Sequence, residues 1–230
     1  MAKKKVSRKE LLKAPDEFLT LSARGMLFIR EHSRQFEYLG MAIAAIIIIY
    51  LGINTYMKYI NKKAQNEYNM AYSALSKNMN PEMNREELKR SEELFKEVID
   101  NYGLSKVSKL ALPELAYLKF LDKKYDEAIS LYKEFLNKVP DKANYQTMAK
   151  MALAACYEQK GEFKMAIEFL EQIMASPDDL FKEQAMLNLA RVYRLANQEE
   201  KSKKILKEFI ETYGNSPFLP LAKAHVEKSS

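Results

Sequence analysis

The chain has 230 residues, 47% of them apolar and 30% charged, with 6 Gly, 7 Pro, 1 Cys, 2 His and no Trp. One cysteine closes no intramolecular disulfide, and one Cys with two distant His builds no zinc module. The scarcity of Gly and Pro beside abundant Ala, Leu, Lys, Glu and Met predicts an all-α chain and excludes a collagen-like or largely disordered one. The formal charge of +6 is unevenly spread: residues 1–37 hold 9 Lys/Arg against 5 Asp/Glu, whereas residues 58–230 hold 28 against 26. So near a balance makes a weak field for phosphates, and no nucleic-acid partner is expected.

Residues 1–37 form a basic leader. Asp16 is placed to cap a helix, and Phe18, Leu21, Phe28, Ile29 and Phe36 recur at spacings near three and four, which predicts a short amphipathic helix. Such a helix lies along the inner membrane face with Arg24, Arg30 and Arg34 near lipid phosphates, or docks on a membrane partner.

Residues 38–57, YLGMAIAAIIIIYLGINTYM, carry no charge. At ~1.5 Å per residue they cover about 30 Å, the thickness of the bilayer hydrocarbon. Met41 to Ile53 is apolar on every face, and Tyr38, Tyr50 and Tyr56 fall toward the ends or outer half, as interfacial residues do; the segment is expected to be a transmembrane helix. A cleaved signal is disfavoured by the polar leader ahead of it and by the lack of a small-x-small site after Ile53. Lys/Arg counts tie close to the span, and Lys3, Lys4, Lys5, Arg8, Lys9 and Lys13 tip the balance toward a cytoplasmic N-terminus with the following domain outside.

From Lys58 onward the period is helical and the sequence repeats. Superposing DKKYDEAISLYKEFL, QKGEFKMAIEFLEQIM and LANQEEKSKKILKEFI aligns Ala128, Ala166 and Ser202, and Ser91 takes that place in REELKRSEELFKEVI. Twelve residues upstream of the three aligned positions stand Leu115-Ala116, Leu153-Ala154 and Leu189-Ala190, followed by Lys119, Tyr157 and Tyr193. Breakers close each unit: Asn101 to Gly103, Pro140-Asp141, Pro177-Asp178 and Gly214 to Pro217. Facing small residues let two antiparallel helices approach closely, and a single pair cannot bury its apolar face, so the units must stack.

Leu-Ala, then Tyr, then Ala, then an aromatic or Leu, and a closing Pro or Asp resemble the tetratricopeptide repeat. The likeness implies a superhelix of about four helix pairs over residues 58–230, with repeats near 64–108, 109–146, 147–182 and 183–217 and a capping helix over 218–228. Units beginning near Lys109, Thr147 and Glu183 fit well; the first departs, because NMNPEMN at 78–84 lengthens its turn. A basic amphipathic leader, one span and a repeat domain following it further resemble the bacterial ancillary subunits of the SecYEG translocon. That likeness implies an inner-membrane protein whose repeat domain works in the periplasm beside translocon subunits, chaperones and client polypeptides. Phrases such as IETYGNSPFLPLAKAH are shared with cell-division and outer-membrane assembly factors, so a self-associating envelope scaffold, with homo-oligomers, is the alternative.

No catalytic, cofactor-binding or metal-binding residue is expected: His32 and His225 lie far apart, Cys156 falls on an apolar helix side, and paired carboxylates such as Glu92-Glu93 and Glu199-Glu200 sit among lysines as solvated surface. What remains is a protein-binding surface. The first helix of each unit lines the concave face in such arrays, and the repeat register puts Leu110, Tyr117, Phe120, Met148, Met151, Glu158, Gln159, Gln184, Leu187, Arg191 and Arg194 there. Met and aromatic side chains suit an extended or helical client segment, although Tyr117, Phe120 and Met151 equally suit packing against the flanking helix. Arg191 and Arg194 could meet a client carboxylate or face solvent.

Overall fold

Strong helix formers, period-3.6 apolar stripes and breakers between them produce helices throughout the described residues, 17–76, 85–140, 142–176 and 180–228, of the computed structural model. Ten helices result: α1 Glu17–Glu31, α2 Ser33–Ser76, α3 Arg85–Asn101, α4 Lys106–Leu121, α5 Tyr125–Lys138, α6 Ala143–Gln159, α7 Phe163–Met174, α8 Lys182–Leu195, α9 Glu199–Thr212 and α10 Leu219–Lys228. The expected cap Asp16, the basic cluster from Lys3 to Lys13, the turn 78–84, Asp141 and Pro177-Asp178 lie outside the described residues.

Two units divide the chain between Tyr56 and Met57. In the first, α1 leaves Met26, Leu27, Phe28 and Ile29 exposed, and the apolar stretch from Leu39 to Ile53 within α2 is uncovered as well. That helix is long and apolar enough to cross a membrane.

The second unit is a stack of antiparallel pairs in which consecutive helices from α3 to α10 pack on one another. Its contacts centre on the small residues. Ala116 and Ala128 are wholly buried, as are Ala71 and Ala166; Ala154 and Ala190 are 2% exposed. Where serine replaces alanine, its hydroxyl is satisfied across the interface: Ser91 donates to the Ala71 carbonyl at 2.9 Å and Ser202 to the Ala190 carbonyl at 2.7 Å. Each hydroxyl thus lies against the small residue of the facing helix, at the distance of a backbone contact that a larger side chain would prevent.

Three apolar clusters run along the stack. Ala71, Leu75, Phe95, Val98, Ala111 and Leu115 join α2, α3 and α4. Leu112, Phe135, Leu153, Leu170 and Leu189 belong to the largest cluster, which extends from α4 to α8. Met186, Leu206, Phe209 and Ala222 close the C-terminal end beneath α10. The turn inside each regular unit has one geometry: Lys123 (φ 62), Gly161 (φ 76) and Asn197 (φ 58) are left-handed, and the next amides, of Lys124, Glu162 and Gln198, donate to the carbonyls of Lys119, Tyr157 and Tyr193 at 2.8 to 2.9 Å. This is the Schellman closure, repeated three times.

Candidate protein-binding groove

Residues three and four apart on one helix share a face, so Leu110, Glu114 and Tyr117 line up along α4 and Tyr145, Met148 and Ala152 along α6. Stacking sets these stripes side by side and opens a cleft of about 410 Å³. Its walls are Tyr68 from α2; Leu110, Pro113, Glu114 and Tyr117 from α4; and Tyr145, Met148, Ala149 and Ala152 from α6. Tyr132 and Phe135 of α5 complete the lining. Met148 is 55% exposed, a large apolar side chain offered to solvent beside the rings.

Glu114 is the one carboxylate in that lining. Tyr68 donates its hydroxyl to Glu114 Oε1 at 3.5 Å, and burial pushes the Glu114 carboxyl above the ordinary carboxylate range, the phenol's hydrogen bond acting in the other direction. Burial likewise raises the Tyr68 phenol, with the Glu114 charge adding to it, so the hydroxyl stays protonated and donates.

A second cleft, of about 270 Å³, opens between α8, α9 and α10, with Gln184, Leu187, Asn188, Arg191, Arg194, Phe218, Leu221 and His225 among its lining. Its arginines are engaged within the chain. Arg191 pairs with Glu158, whose side chain is only 8% exposed, and donates to Asn188 Oδ1 at 3.1 Å. Arg194 Nη1 donates to His225 Nδ1 at 2.7 Å, holding α10 to α8. Between the clefts, Asn188 Nδ2 lies 3.2 Å from the Met151 sulfur.

Of the eleven residues expected on the concave face, Leu110, Tyr117 and Met148 meet in the first cleft and Gln184, Leu187, Arg191 and Arg194 in the second. Met151 and Glu158 bridge α6 to α8. Phe120 lines neither cleft; its ring sits 5.6 Å from Tyr125 and packs against the main core cluster, the flanking-helix role its position also allowed. Gln159, at the last turn of α6, is exposed and lines neither cleft. Sequence reasoning missed Tyr68, Glu114, Tyr132 and Tyr145. For Glu114 and Tyr145 the signal was present: each lies three residues before a named groove position on its own helix. Tyr68 belongs to the irregular first unit, and Tyr132 reaches the cleft from a second helix.

The Tyr positions of the repeat serve packing. Tyr157 stacks on Phe169 with ring centroids 5.7 Å apart, and the Tyr193 hydroxyl donates to Glu171 Oε1 at 2.6 Å. Lys119, at the same position in the preceding unit, instead reaches Glu92 at 2.8 Å and Glu127 at 2.7 Å, one on each flanking helix. Cys156 is wholly buried, and burial pushes its thiol up to about 11.

A tetratricopeptide repeat-like domain model matches residues 33–178, and a tetratricopeptide repeat model matches residues 184–216. The first match covers more than half of the chain, which belongs to the tetratricopeptide repeat-like family. A putative kinesin light chain with nearly identical repeats, from Podosopora anserina, is 14% identical; the alignment covers 73% of this chain and 84% of that one, with a TM-score of 0.56. A tetratricopeptide repeat protein from Parabacteroides merdae is 16% identical over 73% of this chain and 60% of its own, with a TM-score of 0.57. A MamA double mutant from RS-1 is 18% identical over 73% and 92%, with a TM-score of 0.52. At these identities the likeness is one of fold. No curated protein matches the chain.

Proposed function

We propose that this chain is a single-pass membrane scaffold whose repeat domain binds polypeptides outside the cytoplasmic membrane, beside the SecYEG translocon and periplasmic chaperones. The observation that carries the binding role is the first cleft, where aromatic and Met side chains from three successive first helices converge on a surface open to solvent. Stacked helix pairs generally serve as interaction scaffolds of this kind. The anchoring role is supported by the charge-free stretch of α2, and the family match begins at residue 33, so it takes in that stretch. The translocon assignment rests on the likeness in domain plan. Tethering would hold the domain at high effective concentration near emerging chains.

In-cell photo-crosslinking from Met148 tests the proposal, with Phe120, half-buried and outside both clefts, as the control. Capture of translocon subunits, periplasmic chaperones or unfolded exported chains from Met148, with little from Phe120, is the expected result. Capture from Met148 of division or outer-membrane assembly factors in their place would transfer the scaffold to the alternative class. For that alternative, self-association, the supporting observation is that Phe218, just before the last helix, and Leu221, in its first turn, are 47% and 53% exposed. Crosslinks joining two copies through Phe218 would support it.

A further inference from the structure

The first cleft joins two features with one electrostatic meaning. Tyr68, Tyr117, Tyr132 and Tyr145 line it with four aromatic rings, and Glu114 contributes a carboxylate. The negative faces of aromatic rings and a carboxylate both attract a cation. Glu158, the carboxylate that the repeat register expects on the same face, is met by Arg191 of its own chain. Glu114 has a phenol at 3.5 Å, and among the described residues no Lys or Arg lies within ion-pair distance of it. Neither does any basic residue line the cleft.

We infer that the cleft around Glu114 is a specificity pocket for a basic side chain, a Lys or Arg presented by an otherwise apolar partner segment. The inference rests on the proposed polypeptide-binding role of the groove and says what the groove selects. Met148, exposed at the rim, covers the aliphatic stem, the rings take the flanks of the cationic head, and the Glu114 carboxylate accepts its hydrogen bonds. The carboxyl is already held above its ordinary range by burial, and an incoming cation supplies the opposite charge that the fold omits.

The test uses the full chain in lipid nanodiscs and fluorescein-labelled synthetic peptides read by anisotropy. Peptides are made in pairs of apolar, extended sequence that differ only in a central Lys or its uncharged analogue norleucine. The expected result is roughly tenfold tighter binding of the Lys member. Glu114→Gln should erase that preference, and Met148→Arg should abolish binding of both members. Equal binding of the two peptides by the unaltered chain, lost in Met148→Arg, would overturn the inference and leave the groove reading standing. A Lys preference that persists in Glu114→Gln would also overturn it. Failure of every peptide to bind would overturn both. The comparison within each peptide pair needs no variant, so it decides the matter even where a substitution disturbs folding.

Discussion

At Glu114, desolvation and hydrogen bonding act in opposite directions, and desolvation is the larger. A carboxyl whose value is raised on folding lends its stability in the protonated form: the contribution is complete below the ordinary value of ~4.3 and is lost as pH rises through the raised one. At neutral pH the ionised side chain therefore weighs against the fold. The titratable groups lining the cleft with it are the phenols of Tyr68, Tyr117, Tyr132 and Tyr145, and burial raises those of Tyr68 and Tyr132 further from this range. Glu114→Gln should accordingly raise the thermal midpoint at pH 7, and the gain should shrink toward zero as pH falls below ~4. Melting curves of the two proteins at both pH values check this. A lower midpoint for the variant at pH 7 would mean that the Tyr68 contact outweighs burial.

Among the elements, the intra-unit turn separates what composition makes visible from what it conceals. Gly161 marks the turn openly in the sequence, and its left-handed backbone is the conformation glycine allows. Lys123 and Asn197 occupy the same place with ordinary side chains, and only the alignment of units 38 and 36 residues apart exposes the equivalence. Lys123→Gly should stabilise the array by about 0.5–1 kcal/mol, and Gly161→Ala should cost about 1 kcal/mol, both measurable by urea unfolding. The small positions were legible for the same reason. Ala128, Ala166 and Ser202 recur because backbone approach forces them, and Ser91 stood out in an otherwise irregular unit. Of the candidate groove, the stripe on α4 and α6 followed from helical spacing, whereas Tyr132 enters from α5, a contribution that depends on how adjacent pairs tilt. Phe120 shows the converse: correct spacing places a residue on a face, and a neighbour such as Tyr125 decides whether that face is covered.

For the molecule as a whole, topology is the property most open to a direct experiment. Cys156 is buried with its thiol held high, so the native chain presents no competing reactive thiol while folded. Glu200 is exposed on α9, and Glu200→Cys should be labelled by a membrane-impermeant maleimide in cells whose outer membrane is permeabilised, at a level at least tenfold above the unaltered chain. Labelling only after the inner membrane is lysed would reverse the proposed orientation. The contacts of the second unit also order its assembly in time. Helices from α3 onward pack on their immediate successors, and the polar links that skip an element, such as Tyr68 to Glu114, Arg191 to Glu158 and Arg194 to His225, reach only the next helix beyond. Among the described residues, none of these contacts joins an early helix to one at the far end of the chain. Each pair can bury its exposed face on the one before it as translation proceeds, so the apolar surface uncovered at any moment is that of a single growing edge.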